Sequence, residues 1–150
     1  MTSDHRVIVL GLGGLGSAAA YWLSRRLGDE VLGLEQFPLG HARGGSEDHS
    51  RIIRLSYHTP GYVELAKAAY DAWERLEVDS GEPVVLRTGG LDLAPATASI
   101  GLDDYRSSMT TAGVEFEELE APEVMRRWPQ WRLPEDVTAI YQEQSGMAMA

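Results

Sequence analysis

Four glycines near the start of the chain have a spacing that suits a nucleotide diphosphate. The segment Gly11–Gly16 (GLGGLG) fits the pattern GxGxxG. In that pattern the first glycine forms a tight turn, the second lets the backbone approach a diphosphate, and the third lets a helix lie close to a strand. Glu35 follows nineteen residues after Gly16, where a carboxylate can accept hydrogen bonds from ribose hydroxyls. A carboxylate would repel a 2′-phosphate, so FAD or NAD is favoured over NADP. The alternative is an ordinary glycine turn with Glu35 as a solvated acid.

Two arginines follow a long polar segment. Residues 37–50 have no apolar period, which predicts a loop, and the length of this loop favours a binding role. Arg51 and Arg54 come directly after it. A planar guanidinium can hold a carboxylate through two hydrogen bonds and so orient a neighbouring C–H bond. The alternative is a pair of surface arginines. The loop histidines His41 and His49 could act as acid or base, although a solvated loop histidine is the commoner case.

The glycine motif lies between two predicted strands. Arg6–Leu10 and Val31–Glu35 are apolar runs of the kind that strands buried on both faces need. A helix is predicted over Gly14–Leu27, with Gly28 as its terminator. Its apolar face is predicted to contain Leu15, Ala18, Ala19, Trp22 and Leu23. These elements form a β-α-β unit of an α/β domain.

Further along the chain, the pattern changes to alternating, loop-rich segments. The alternation of Leu91, Asp92 and Leu93 predicts a strand with one solvated face. The predicted elements are a helix over Gly61–Ser80, strands over Val84–Leu86 and Gly90–Leu93 around a turn at Thr88–Gly90, a helix over Ser99–Ala112, an edge strand over Val114–Leu119 and a helix over Pro122–Trp128. This change of pattern predicts a domain boundary near residue 85.

The composition restricts the class of protein. The 13 Lys and Arg residues against 23 Asp and Glu residues give a formal net charge of −10, which disfavours nucleic acids and anionic membranes as partners. There are no cysteines, which excludes disulfides, thiolate metal sites and cysteine nucleophiles from this chain. No His, Asp or Glu cluster has the spacing of a metal site. A reducing compartment is allowed, and a cytoplasmic location is predicted.

Several motifs together resemble one enzyme family. The loop segment FPLGH, the element SRIIR at residues 50–54, the helix around Leu65–Trp73 and the segment TGGL at residues 88–91 occur in the same order in the monomeric sarcosine oxidase and N-methyltryptophan oxidase family of flavin amine oxidases. The likeness extends to RWP at residues 127–129 and to Ser145–Gly146. It therefore spans nearly the whole chain.

The resemblance implies a fold. It is a Rossmann-like FAD-binding domain, doubly wound with a mostly parallel sheet, followed by the start of an inserted β-rich substrate domain. The implied division is residues 1–85 for the N-terminal part of the FAD-binding domain, 86–141 for the start of the substrate-binding domain, and 142–150 for a return toward the FAD domain. The final residues carry no helix terminator or polar tail, so the chain is expected to end within a domain.

The resemblance also implies site residues and a reaction. Arg51 would lie beside the flavin ring and Arg54 would bind the substrate carboxylate, which makes these two the predicted catalytic residues. The implied activity is oxidation of a secondary amine, such as sarcosine or another N-methyl amino acid, to an imine, with O2 reduced to hydrogen peroxide. The cofactor-binding set is Gly11, Leu12, Gly13, Gly14, Leu15, Gly16, Glu35, Gln36, Ser46 and Arg51.

Two departures from the family pattern concern substrate and chemistry. The family often has a histidine at the position of Glu47, so the polarity around the flavin is expected to differ. The oxygen-activating lysine and flavin-attaching cysteine of the family lie beyond the matched region, and Lys67 does not match that lysine. Two alternatives remain open from the residues: an NAD-dependent dehydrogenase, and an inactive nucleotide-binding fragment.

Overall fold

The computed structural model describes residues 4–149, which have the predicted α/β architecture and fall into two units. The units divide between His49 and Ser50. Residues 1–3 and 150, which belong to the predicted first and last segments, lie outside the described residues.

The first unit contains β1 (Val7–Leu10), α1 (Gly14–Leu27), a short 3-10 helix (Gly28–Glu30) and β2 (Val31–Leu34). The second contains β3 (Ser50–Ile53), α2 (Pro60–Ser80), β4 (Val85–Arg87), β5 (Gly90–Pro95), α3 (Asp103–Thr111), β6 (Glu117–Glu120), α4 (Ala121–Arg127), β7 (Val137–Gln142) and β8 (Gly146–Met149).

The first unit is the predicted β-α-β element. β1 and β2 pair in parallel, with Val7 opposite Val31. The bounds of α1 are those predicted from the sequence. The helix ends at Gly28, whose φ of 59° lies in a region that glycine adopts at little cost.

The covered face of α1 differs from the predicted one. Leu15 is 92% exposed and Trp22 is 41% exposed, so the predicted apolar face is wrong at these positions. Ala18 and Ala19 are also exposed. The partly covered side carries residues at i, i+4, i+7 and i+11, as expected for one helical face. These residues are Gly16, Ala20, Leu23 and Leu27.

One apolar side of β1 is open in the part of the chain that the structure describes. Val9 lies beside Gly16 of α1, whereas Ile8 and Leu10 are 58% and 85% exposed. Side chains alternate across a strand, and α1 covers only one of the two faces. The prediction that this strand is buried on both faces is therefore wrong for residues 4–149.

The second unit contains two antiparallel sheets of three strands each. β8 lies between β3 and β4, and β7 lies between β5 and β6. Parallel pairing is thus confined, among the described strands, to β1 and β2. The strands predicted on either side of Thr88–Gly90 are present, but they belong to different sheets. The predicted turn is therefore a crossing from one sheet to the other.

Two such crossings lie side by side, and we call Thr88–Gly90 together with Gln142–Gly146 the double crossing. Thr88 N donates a hydrogen bond to Ser145 O at 3.2 Å. A Cβ added to Gly90 would meet the Ser145 side chain, and one added to Gly146 would overlap the carbonyl oxygen of Leu86. The two segments are therefore joined by a backbone hydrogen bond, and neither Gly90 nor Gly146 has room for a side chain.

Replacing Gly146 with alanine is expected to lower the free energy of unfolding by about 3 kcal/mol, because the new methyl group overlaps backbone that cannot rotate away. Urea unfolding of the full-length protein measures the loss. Gly101→Ala is a matched control, since a Cβ there meets nothing within 4 Å. Its effect is expected to stay within about 0.5 kcal/mol. Equal stability of the two variants would contradict the close approach at Gly146.

Helices cover both faces of the β5-β7-β6 sheet. On one face Val63 of α2 and Met109 of α3 are fully buried with Ile140 of β7. On the other face Val124 of α4 is buried with Ala139 of β7. β6 lies at the edge of this sheet, as predicted.

The predicted domain boundaries after residues 85 and 141 stay predictions, as does the cytoplasmic location. Among the helices within residues 4–149, none has the length and apolar content needed to cross a membrane.

Candidate functional site

The glycine-rich turn joins β1 to α1 and is fixed to β2. Gly11 has a φ of 86°, which disfavours residues with a side chain. Its N–H donates to Leu34 O at 2.7 Å. A Cβ on Gly16 would overlap the carbonyl oxygen of Gly11. The fold of the turn therefore requires glycine at positions 11 and 16 even without a ligand.

The N-terminus of α1 opens onto free space. A Cβ added to Gly13 would meet no described residue within 4 Å, and the first turn of α1 contains no acidic residue. The first amides of a helix have no acceptor within the helix and carry partial positive charge. A cavity of about 470 Å³ lies here, lined by the glycine turn, Glu35 and loop residues that include His41, Ser46, Glu47 and Asp48. This end of α1 can therefore bind an anion such as a diphosphate.

Glu35 is held at the end of β2 by backbone amides. Its Oε2 accepts a hydrogen bond from Leu12 N at 2.8 Å, and its Oε1 accepts from Gln36 N at 2.7 Å and from Phe37 N at 3.2 Å. The bonds from Leu12 and then Phe37 are the main causes that lower the pKa of Glu35. The side chain is 12% exposed. The structure thus places a fixed carboxylate beside the glycine turn, as the spacing predicts.

His41 supports this carboxylate, a contact that the sequence does not reveal. Its Nδ1 accepts a hydrogen bond from Arg43 N at 3.0 Å, so the neutral ring carries its proton on Nε2. Nε2 lies 3.7 Å from Glu35 Oε1, and the ring meets Phe37 edge-on with centroids 4.9 Å apart. The side chain is only 19% exposed, so the interpretation of His41 as a solvated loop residue is wrong. Its position favours a supporting role for Glu35.

The contribution of Glu35 to stability is expected to depend on pH. A carboxyl whose pKa is lowered by folding stabilises the native state above its ordinary pKa, and this contribution is lost as the pH falls through the lowered value. The stability difference between the wild type and Glu35→Gln should therefore be constant near neutral pH and shrink in acid. Urea unfolding of the cofactor-free full-length protein between pH 7 and 3 measures it. A difference that grows in acid would contradict the hydrogen bonds to Glu35.

The structure places Ser46 and Gln36, two further predicted cofactor residues of this unit, on neighbouring cavities. A Cβ on Gly14 would meet the Ser46 side chain, which puts Ser46 at the start of α1. Gln36 lines a second cavity of about 490 Å³ with Leu10 and Leu34 at the carboxyl ends of β1 and β2. Ligands of open α/β sheets bind at these strand ends.

Arg51 and Arg54 both belong to the second unit. Arg51 lies in β3 opposite Ala148, and its Nη1 donates to Ser50 O at 2.8 Å. Arg54 follows β3, and its Nη1 donates to Asp92 Oδ1 at 2.6 Å. The Arg54 guanidinium also lies over the ring of Tyr57, 5.3 Å from the centroid. Arg54 is therefore a fixed, partly buried cation that already holds a carboxylate.

Asp92 is the second residue that sequence reasoning missed. The prediction of a solvated face for its strand is wrong, because Asp92 is 19% exposed and Ala94 on the same face is buried. The signal in the sequence is a single acid within an otherwise apolar strand. The partner, Arg54, is 38 residues away in the chain, so no local pattern identifies it.

A comparison with family models decides the class of protein. The model described as DAO, FAD dependent oxidoreductase, matches residues 6–149. The chain belongs to this family. The resemblance predicted from the motifs is confirmed at this level, and FAD, rather than NAD, is confirmed as the cofactor of the family.

Curated proteins similar to this FAD-dependent oxidoreductase chain are named as amine oxidases. The chain is 39% identical over 148 residues to the monomeric sarcosine oxidase of Streptomyces avermitilis, covering 98% of this chain and 38% of that protein. It is 30% identical over 143 residues to the N-methyl-L-tryptophan oxidase of Citrobacter koseri, covering 95% of this chain and 38% of that protein. The chain therefore spans about 38% of the length of these curated relatives.

Solved structures show the same fold. NikD, an unusual amino acid oxidase essential for nikkomycin biosynthesis, is similar with a TM-score of 0.83 and 26% identity, covering 99% of this chain and 38% of that chain. L-proline dehydrogenase from P. horikoshii has a TM-score of 0.78 at 20% identity, covering 99% of this chain and 39% of that chain. The second likeness concerns the fold alone.

The first unit of this family member fits the ADP half of FAD. The space in front of Gly13 is open, and the amides at the start of α1 face it with no acid in the first turn. Glu35 Oε2 accepts one hydrogen bond, from Leu12, and a carboxylate oxygen has capacity for a second. A diphosphate at the helix end and a ribose hydroxyl at Glu35 would use these groups.

Proposed function

We propose that the full-length protein oxidises a secondary amine, such as sarcosine or another N-methyl amino acid, to an imine and reduces O2 to hydrogen peroxide. One observation provides the main support for this proposal. The glycine turn, the N-terminus of α1 and the anchored Glu35 meet at one open space that suits the ADP half of FAD. They do so in a chain whose curated relatives are named sarcosine oxidase and N-methyl-L-tryptophan oxidase.

The first unit would hold the cofactor. The amides of Gly13 and its neighbours would bind the diphosphate, because the helix end supplies donors and partial positive charge. Glu35 would accept a hydrogen bond from a ribose hydroxyl, with His41 limiting the movement of its carboxylate. The other proposed contacts of the cofactor are made by Gly11, Leu12, Gly14, Leu15, Gly16, Gln36 and Ser46.

The second unit would supply the two arginines of the reaction. FAD, when bound, accepts a hydride equivalent from the carbon next to the amine nitrogen. Arg54 would bind the substrate carboxylate and so fix the direction of the neighbouring C–H bond. Arg51 would place positive charge where negative charge develops during the reaction.

The substrate domain and the choice of amine are the finer parts of the proposal. The antiparallel sheet of β5, β7 and β6 supports an inserted β-rich substrate domain that begins after residue 85. The pairing of β8 with β3 and β4 supports a return of the chain, after residue 141, toward the doubly wound FAD domain. Glu47 lines the cavity at the start of α1. A carboxylate at this position changes the local polarity, which favours a substrate preference different from that of family members with histidine there.

The visible spectrum of the purified full-length protein tests the proposal. Bound FAD is expected to give the yellow flavin bands, and sarcosine or another N-methyl amino acid is expected to bleach them under anaerobic conditions. Admission of O2 should restore the bands with formation of hydrogen peroxide. Protein that holds no flavin, or flavin that no amine bleaches, would overturn the proposal.

A further inference from the structure

We propose that Asp92 is a positioning and specificity-determining residue that acts through Arg54 on the carboxylate of the substrate. The inference rests on the proposed function, because it takes Arg54 as the group that binds this carboxylate. Asp92 is an acidic side chain from a different strand. It fixes the guanidinium of Arg54 and lowers the net charge of the site.

The geometry of the pair supports a fixed guanidinium. Arg54 Nη1 and Asp92 Oδ1 are 2.6 Å apart, and the two side chains are 35% and 19% exposed. Asp92 projects from β5 on the face that carries Ala94, while Leu91 and Leu93 contact the hydrophobic group on the opposite face. The carboxylate is thus attached to the interior of a strand, and its position does not depend on a mobile loop.

A third group restricts the plane of the guanidinium. The Tyr57 ring lies under Arg54 at 5.3 Å, a distance typical of a cation–π contact. With one face against the ring and one of the two Nη1 hydrogens donated to Asp92, Arg54 keeps a complete pair of donors at Nε and Nη2. These two donors form the edge that can hold another carboxylate through two parallel hydrogen bonds. The pair therefore selects which edge of Arg54 a substrate meets.

The charge of Asp92 also changes what Arg54 attracts. A carboxylate in contact with the guanidinium cancels much of its field for a second anion. An anion that makes only one contact with Arg54 is then bound weakly, because the electrostatic attraction is small. A carboxylate that fits both Nε and Nη2 still forms two hydrogen bonds. We infer that the site distinguishes anions by whether they fit both Nε and Nη2. Its affinity for carboxylates in general is lower than it would be without Asp92.

The chain offers a matched control for this pair. Arg106 Nη1 and Asp103 Oδ1 are also 2.6 Å apart, but Asp103 is 96% exposed at the start of α3. Arg106 has a second acidic partner in Glu118 at 2.7 Å. Asp103→Asn therefore removes the same charge at the same distance from an arginine outside the proposed site.

Calorimetric titration of the full-length FAD-loaded protein with acetate tests the inference. Asp92→Asn keeps an oxygen for Nη1 and removes the charge, so acetate should bind about five- to tenfold more tightly than to the wild type. Asp92→Ala removes the anchor as well, so its affinity should be about fivefold weaker than that of Asp92→Asn. Asp103→Asn should stay within about twofold of the wild type. FAD content and melting temperature confirm that each variant folds.

Arg54→Ala separates the possible failures. If Arg54→Ala abolishes acetate binding while both Asp92 variants match the wild type within about twofold, the role of Asp92 is overturned and that of Arg54 stands. If Arg54→Ala leaves acetate binding unchanged, the proposed carboxylate site itself fails, and the inference fails with it. An acetate affinity of Asp92→Ala equal to that of Asp92→Asn would overturn the positioning role alone.

Turnover gives an independent measurement. For sarcosine, Asp92→Asn is expected to lower KM and leave kcat unchanged, because the added attraction acts on binding. For N-methylethylamine, which has no carboxylate, the same variant should leave both parameters unchanged. Equal effects on the two amines would show a general structural change and overturn the inference.

Discussion

Replacing Gly13 with valine is expected to give a folded full-length protein that no longer retains FAD. A Cβ at this position meets nothing within 4 Å among residues 4–149, so the side chain enters only the space in front of α1. A diphosphate bound to the helix end would require that space. We expect the FAD dissociation constant to rise at least about 100-fold, which corresponds to about 2.7 kcal/mol. Fluorescence titration of the cofactor-free protein with FAD measures the change.

Gly61→Val is the control for this substitution. Gly61 lies in the first turn of α2, and a Cβ there also meets nothing within 4 Å. Both variants place valine at the start of a helix, and each should change the stability of the cofactor-free protein by about 1 kcal/mol or less. Only Gly13→Val should lose FAD. Retention of FAD by Gly13→Val would contradict a diphosphate in front of α1.

Replacing Arg54 with alanine is expected to lower kcat/KM for sarcosine by about 100- to 1000-fold, the range expected for loss of a charged, two-bond contact with a carboxylate. The loss should fall mainly on substrates with a carboxylate, because Arg54 acts through that group. Steady-state oxygen consumption with sarcosine and with N-methylethylamine measures it. Similar losses for both amines would indicate a role other than carboxylate binding.

Two further variants test whether the effect requires the planar guanidinium and whether it is specific to position 54. Arg54→Lys keeps the charge but not the planar fork, so kcat/KM for sarcosine should fall by about tenfold. Arg75 is exposed on α2, outside the proposed site, and Arg75→Ala should leave kcat/KM within about twofold of the wild type. An Arg54→Lys variant as active as the wild type would show that charge alone is sufficient.

The local parts of the site could be predicted from the sequence. The bounds of α1 follow from two glycines. Gly14 lies at the start of the helix, where the Ser46 side chain approaches closely, and Gly28 has a positive φ at its end. The link between the glycine turn and Glu35 follows because parallel strands end at the same edge of a sheet. These features depend on chemistry within a single β-α-β unit.

The features that depend on distant partners could not be predicted. β8 is a four-residue strand whose place between β3 and β4 is set by pairings with residues far away in the chain. The covered face of α1 is chosen by the contact at Gly16, which a count of apolar residues does not reveal. The partnership of Arg54 and Asp92 similarly joins two sheets. Such contacts are properties of the folded chain and have no local signature.

The double crossing has a consequence for how substrate preference could evolve. Arg54 follows a strand of one sheet and Asp92 lies in a strand of the other. The chain passes between these sheets at the two segments of the double crossing, which the hydrogen bond from Thr88 N to Ser145 O joins. A small backbone shift at this joint would change the separation of the ion pair without altering either charged residue. Under the proposed function, substitutions remote from the reacting carbon would then change which amines are accepted.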